Sequence, residues 1–391
     1  MIRVGFFLNF SDNWLGGLNY FKNLIRAVSM IPPGQKKIEP VIFLGRRTDP
    51  EIKSFFKKYS LTVESIIIDR WFMRRFSEFV FKATGRNWMI EFFLLKRFGV
   101  KVISHSGFLL DENTKIKNVN WLPDFQHIHL KEMFSGEEYE KRNRLFAETI
   151  SKSDGVIVSS ESAYGDLKRF MPQADLKKVS VLKFVPFLEK EIFDISNEEI
   201  LKIRNKYGIG EKFFYLPNQF WKHKNHITVL KAVNELKKEK FKIEVACSGS
   251  LDDYRNSAYI AEIKSYIENN GLHDYVKLLG VIPYREVQIL FKCSDAVINP
   301  SLFEGWSTTV EECKIMGKKC VLSDIEVHRE QAPSGAHYFK PDDYLVLADI
   351  LKGLASEKPS ECVPHDELIA ANESNLIKFA LEYQKIILNL F

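Results

Sequence analysis

Short apolar runs alternate with amphipathic stretches along almost the whole chain. Residues 2–8 have the length and character of a buried strand. Residues 16–30 follow with Leu18, Phe21, Leu24, Ile25 and Val28 on one helical face. The strand pattern returns at 40–44, 63–68, 100–104, 118–122 and 155–159. From about Val179 it relaxes into Val185-Pro186-Phe187-Leu188, which predicts a linker. A second series opens with a strand at 213–217 and a helix at 227–239. Strands at 243–247, 276–279, 296–299 and 319–323 continue it, separated by helices at 257–270, 284–293 and 308–316. Strand and helix in alternation predict parallel sheets joined by right-handed crossovers. The expected class is α/β, with two Rossmann-like domains (1–187 and 188–370) facing an inter-domain cleft. Ligands of such sheets bind beyond the carboxyl ends of the strands, so those loops are where chemistry is sought.

Composition narrows the field. A chain of 391 residues with 45% hydrophobic and 27% charged residues suits a globular protein of two domains, not a disordered one. No apolar run reaches the 18 or so residues of a membrane span. The N-terminal apolar run breaks at Asn9-Phe10-Ser11-Asp12 without a small-residue cleavage site, so a cytoplasmic location is expected. The five cysteines (Cys247, Cys293, Cys313, Cys320 and Cys362) form no CxxC or Cys/His spacing. Structural zinc and a disulfide framework are therefore not expected.

The net charge of +5 is concentrated. Residues 70–101 hold eight basic side chains against Glu78 and Glu91, a net of +6, interleaved with nine aromatics. Basic plus aromatic residues on a helical pattern fit a peripheral contact with an anionic membrane, or a helical pair with an aromatic core and a basic outer face. No nucleic-acid recognition motif accompanies the segment, and no nucleic-acid partner is expected.

The most informative stretch runs from Asn299-Pro300-Ser301 through Glu304-Gly305-Trp306-Ser307-Thr308-Thr309 to Glu312 and Gly317. It reads as a strand end, a Gly-containing loop and a helix starting near Ser307 or Thr308. Ser and Thr are good N-caps, and free amides at a helix start suit phosphate. Glu312 follows Glu304 by eight positions, about two helical turns.

This stretch resembles the Pro-Ser…Glu-Gly-Phe-Gly…Glu-Ala signature of retaining glycosyltransferases of the family 4, or group 1, type. The flanking 294–301 and 317–324 fit in the same order. The resemblance implies the GT-B fold and a C-terminal helix, 371–391, crossing back to the first domain. It places Glu304 on the donor sugar, the amides of Trp306, Ser307, Thr308 and Thr309 on sugar hydroxyls and phosphate, and Glu312 on the nucleotide ribose.

Other loops follow in register. In Leu216-Pro217-Asn218-Gln219-Phe220-Trp221-Lys222-His223-Lys224, Lys224 matches the family's diphosphate lysine. Gln219 stands where the family has Arg, and Lys222 is placed to restore that charge. Ser248-Gly249-Ser250 stands for a Gly-x-Gly turn, and the loop containing Val281 for the one that reads the base through its backbone. In the first domain Gly16 and Gly17 resemble a Gly-Gly loop whose glycines permit positive φ and close approach. Pro123-Asp124 resembles a His-Asp pair that has lost its His. Asp124 and His127 are the candidates for accepting the acceptor's proton, with His129 and His105 as further imidazoles.

The implied activity is transfer of a sugar, with retention, from a nucleotide-diphosphate sugar to a glycan or lipid-linked oligosaccharide acceptor in surface polysaccharide synthesis. No cofactor and no metal are expected, since Lys224 and the helix amides take the role of a cation at the diphosphate. Two rivals share the architecture. A sugar-nucleotide epimerase would lack the Glu304/Glu312 loop in this form. A non-catalytic nucleotide-sugar-binding subunit would explain Gln219 and Pro123.

Overall fold

The computed structural model describes residues 1–8, 15–64, 97–105, 114–253, 256–357 and 364–391. Most of the basic and aromatic segment 70–101, and the end of the strand expected at 63–68, lie outside the described residues.

The chain divides into two compact units. The first comprises residues 1–125, 136–187 and 373–391, the second residues 126–135 and 188–372. In the first, β1 (Ile2–Leu8), β2 (Ile38–Leu44), β3 (Leu61–Glu64), β4 (Val100–Ser104), β5 (Lys117–Leu122), β6 (Gly155–Val158) and β7 (Val179–Val181) form one sheet. Their spatial order is β3-β2-β1-β4-β5-β6-β7, and neighbouring strands are parallel. The continuous apolar runs are those of strands buried on both faces, and β6 is buried throughout.

Two differences from the sequence pattern have physical causes. Strand β7 forms where the pattern relaxes into a linker, because an edge strand of three residues needs only a partial apolar face. The helix Gly136–Lys152 buries only Phe146, Thr149 and Ile150 along 17 residues, so its charged positions mask the period. The last helix, His365–Leu388, secures the first unit by its end. Gln384 accepts from the Lys37 amide at 2.6 Å and donates to the Gln35 carbonyl at 2.9 Å. Among the described residues no helix is long and apolar enough to cross a membrane.

The second unit contains β8 (Phe214–Leu216), β9 (Val245–Ser248), β10 (Val276–Gly280), β11 (Ala296–Asn299), β12 (Cys320–Ser323) and β13 (Ala336–Phe339). The order β10-β9-β8-β11-β12-β13 is that of a doubly wound sheet, again all parallel. Its order reverses between β8 and β11, so the crevice beyond their carboxyl ends is the default ligand position. A core containing Phe214, Leu216, Val245, Ile298 and Val321 packs the sheet against its helices.

Gly249 brings the loops after β8 and β9 together. Its φ is +143°, and a Cβ there would stand 2.5 Å from the Asn218 carbonyl oxygen and 2.7 Å from the Gln219 Cα. Both obstacles are backbone, which has no rotamer to yield. The Gly249 amide donates to the Gly280 carbonyl at 2.9 Å, and the Phe220 amide to the Ser250 carbonyl at 2.9 Å. Gly249→Ala is therefore expected to lower stability by about 2–4 kcal/mol. Thermal unfolding should show a melting temperature reduced by several degrees; an unchanged value would mean that this contact relaxes freely.

Candidate active site

The loops after β8 and β11 meet at the point where the sheet order reverses. After β8 the chain passes through a tight turn, Lys222–Lys224, to Asn225 in the left-handed region at φ 57°, and then the helix His226–Lys238 begins. Asn tolerates this conformation better than most residues. Here its side chain also ties the turn down, donating to the Pro300 carbonyl at 3.1 Å and the Pro341 carbonyl at 2.8 Å. The turn is thereby fixed to the loop after β11.

That fixation sets Lys224 against Glu304. Their Nζ and Oε1 atoms are 2.7 Å apart, with side chains only 16% and 10% exposed. Ser301 Oγ lies 2.7 Å from the same Glu304 oxygen and 2.8 Å from Asn299 Oδ1. Burial alone would raise the Glu304 carboxyl. Lys224, helped by His328 and Ser301, outweighs it and holds the group below the usual carboxylate range. Glu304 is therefore an anion at neutral pH.

The helix Thr308–Met316 starts beside this pair. Ser307 caps it by accepting from the Val310 amide at 3.4 Å, and Asn299 Nδ2 donates to the Ser307 hydroxyl at 2.8 Å. Asn218 Nδ2 donates to Asn299 Oδ1 at 2.9 Å, and Thr309 Oγ1 to Asn218 Oδ1 at 3.4 Å. One asparagine network thus locks both strand ends to the helix start. Gln331 completes it, accepting from the Ser307 amide at 3.2 Å and donating to the Ser307 carbonyl at 2.9 Å. The Ser307 amide expected for a ligand is consequently already taken. The amides of Thr308 and Thr309 have no partner among the described residues and carry the positive end of the helix dipole.

Glu312, on the same helix, is buried and meets no cation among the described residues. Burial pushes its carboxyl up to about 7, and the Tyr284 phenol, donating to Oε1 at 2.6 Å, works in the opposite direction. His328 is also buried, and its Nδ1 lies 2.9 Å from the Ser323 carbonyl. Burial lowers its pKa, opposed in part by Glu304.

Lys222 is exposed, its ammonium has no partner among the described residues, and its amide donates to Asp253 at 3.0 Å. Gln219 is half-buried against Gly249, Trp306 is half-buried, Thr308 is exposed, and Val281 is 72% exposed. His127 is wholly buried in the second unit, near the Phe134 ring, whereas Asp124 is half-buried in the first. His129, by contrast, sets its ring 5.0 Å from that of Phe303, next to Glu304.

Gly16 and Gly17 do not use the positive φ that glycine permits. Both lie in the first turn of the helix Leu15–Ser29, and a Cβ on Gly16 would meet nothing within 4 Å. His105 does take a positive φ, +58°, but both its ring nitrogens are engaged, by Tyr20 at 2.8 Å and Ser104 at 2.7 Å. Burial pushes it down to about 3, so it is a neutral core histidine.

Sequence reasoning gave no role to Asn218, Asn299 and Ser301, though they lie in its motifs, and missed Tyr284 and Gln331. Asn299 and Ser301 had a usable signal, since polar residues at the carboxyl end of a buried strand need partners. Tyr284 and Gln331 had none, because they meet the site across 28 and 20–24 positions of sequence.

Residues 199–361, somewhat under half of the chain, match the family model described as Glycosyl transferases group 1. That stretch is similar to the group 1 glycosyl transferases. The O-antigen chain mannosyltransferase RfbU of Salmonella typhimurium (strain LT2) is 24% identical over 187 residues, covering 45% of this chain and 51% of that protein. The chain thus spans about half the length of the curated relative it matches. Among solved structures, sucrose-phosphate synthase from Thermosynechococcus elongatus aligns with a TM-score of 0.71 at 15% identity, over 100% of this chain and 99% of that one. Anabaena Alr3699/HepE in complex with UDP and glucose aligns at 0.64 and 15% identity, covering 98% and 95%. The two parallel-sheet units are those of the GT-B fold.

Two outcomes follow from the electrostatics. Removing Lys224 strands a buried carboxylate, so Lys224→Ala should destabilise the protein by about 3–5 kcal/mol, and adding Glu304→Gln should recover most of the loss. A double variant no more stable than the single one would deny the pairing. Glu312 behaves oppositely. Its folded pKa lies above the unfolded value, so the folded state holds more protons between pH 4.5 and about 7 and stability falls as pH rises through that window. Glu312→Gln should therefore stabilise the free protein at pH 8 by on the order of 2–3 kcal/mol and leave it unchanged below pH 4. Melting temperatures across pH check the sign.

Proposed function

We propose that this chain is a retaining glycosyltransferase that moves a sugar from a nucleotide-diphosphate sugar to a glycan or lipid-linked acceptor in surface polysaccharide synthesis. The observation that carries the reading is the buried Lys224–Glu304 pair at the carboxyl ends of β8 and β11, beside the start of the Glu312 helix. The group 1 match over 199–361 supports transferase chemistry, the mannosyltransferase likeness supports the polysaccharide role, and the UDP-bound neighbour supports a nucleotide sugar.

In this reading Lys224 supplies the cation for the leaving diphosphate. The amides of Thr308 and Thr309 supply oriented dipoles at the same place. The charge that grows as the glycosidic bond lengthens meets groups already fixed by Asn225, Ser307 and Gln331. Little reorganisation is then needed in the transition state. Glu304, an anion, accepts from hydroxyls of the transferred sugar and orients its anomeric carbon. Glu312 accepts from the ribose. Leaving group and nucleophile share one face of an oxocarbenium-like sugar, which gives retention. No step calls on a metal ion, because the ammonium and the amides act on the diphosphate. Asp124 remains the proposed proton acceptor. The basic segment 70–101 is proposed to reach an anionic membrane, where each Lys or Arg contributes roughly 1 kcal/mol.

Donor and acceptor assays with product anomer analysis by NMR test the reaction; an inverted product would overturn retention. Lys224→Ala should raise the barrier by about 2–4 kcal/mol, seen as lost kcat/KM, while Lys222→Ala changes it little. A larger effect of Lys222→Ala would move the diphosphate contact to that residue. Sedimentation with anionic vesicles at low salt checks the membrane contact, which reversal of Arg74, Arg75, Arg86 and Lys96 to Glu should abolish.

A further inference from the structure

Glu312 has no cation to hold it among the described residues, yet in the proposed donor site it presents an oxygen to a ligand. Its Oε1 is occupied by the Tyr284 phenol at 2.6 Å, while Oε2 takes no hydrogen bond among the described residues. Tyr284 opens the helix Tyr284–Cys293, 28 positions from Glu312, and belongs to none of the motifs read from the sequence. Tyr284 is 50% exposed while Glu312 is 7% exposed.

We infer that Tyr284 positions Glu312 for nucleotide binding, its hydroxyl clamping Oε1 so that Oε2 is held ready for a ribose hydroxyl. This rests on the nucleotide-sugar reading of the site. A carboxylate on a free χ3 torsion would lose orientation on binding; one anchored at a single oxygen does not. The clamp also favours the ionised form, because a phenol O–H donates to a carboxylate more strongly than to a neutral acid.

The groups facing Glu312 leave this task to Tyr284. From β8 comes Tyr215, whose phenol is within 2.6 Å of Ser248 Oγ and kept neutral by burial. On Glu312's own helix is Cys313, its thiol raised by burial and neutral. Gln288 stands beside Tyr284 on its helix and interacts with the phenol. No lysine or arginine contributes to Glu312 among the described residues. Without the phenol, burial acts unopposed and the carboxyl stays protonated to a higher pH.

The test uses the full chain with UDP, GDP, ADP and CDP as probes, titrated by calorimetry from pH 6 to pH 9. Wild type should bind at least one, more tightly as pH rises and Glu312 ionises. Tyr284→Phe should bind it about tenfold more weakly at pH 7, with the deficit narrowing toward pH 9. In a Glu312→Gln background the same change should matter less than twofold, since the clamp has lost its charged partner. Equal affinity of Tyr284→Phe and wild type at every pH would overturn the inference. So would a tenfold loss that persists undiminished in the Glu312→Gln background. A second arm needs no ligand: at pH 8, Glu312→Gln should raise the melting temperature more in Tyr284→Phe than in wild type, and an equal rise would overturn the clamp. Should wild type bind none of the four nucleotides, the nucleotide-sugar reading falls and the nucleotide-positioning role with it, while the melting arm still decides whether Tyr284 supports the charged form.

Discussion

A carboxylate taken out of water must find a partner or give up its charge. Two carboxylates stand at the end of β11 and in the following helix, both nearly buried, and they meet this constraint in opposite ways. Glu304 has Lys224 at 2.7 Å and stays ionised below the usual range. Glu312 has only a phenol among the described residues and is pushed up to about 7. Much of the surrounding structure makes the first solution possible. Asn225 uses a left-handed backbone to turn Lys224 inward and bonds to the loop that carries Glu304. Gly249 lets the neighbouring loop close over Asn218 and Gln219, and Asn218 in turn fixes Asn299. Loosening any of these would widen the ion pair, and its strength falls steeply with separation and with admitted water.

Much of this arrangement was legible in the sequence, and the parts that were not share a reason. Strands buried on both faces announce themselves as unbroken apolar runs, so β1, β4 and β11 could be placed to within a residue. The eight-residue spacing of Glu304 and Glu312 and the Ser-Thr-Thr helix start are local, and so was the site they outlined. Partners that arrive through the fold are not local. Tyr284 reaches Glu312 from another helix, and Gln331 occupies the Ser307 amide from 24 positions away. Gly249 reads as a donor-site residue of a Gly-x-Gly-like turn, and the close approach it permits is not visible because the backbone it avoids belongs to a different loop. Residues 126–135 group with the second unit although the sequence assigns them to the first, which no hydrophobic period could reveal. His127, read as a candidate proton acceptor, is wholly buried.

The ion pair has a consequence for selectivity under the proposed function. In the free protein Lys224 already neutralises Glu304, so a diphosphate draws that cation from a carboxylate that is 10% exposed. A nucleotide diphosphate alone would take the lysine and leave Glu304 with only the Ser301 hydroxyl. Part of what it gained would be lost to the unpaired charge. A nucleotide sugar brings its own hydroxyls to Glu304 at the same moment, so both partners of the broken pair are satisfied together. Sharing one pair between the two ends of the donor thus links recognition of the sugar to recognition of the phosphate, and favours the intact substrate over the nucleotide product that must leave. Glu312 adds no such penalty. Partly protonated when free and clamped at one oxygen, it enters the complex by losing a proton, not a partner, and its contribution is set by pH where that of Glu304 is set by the ligand.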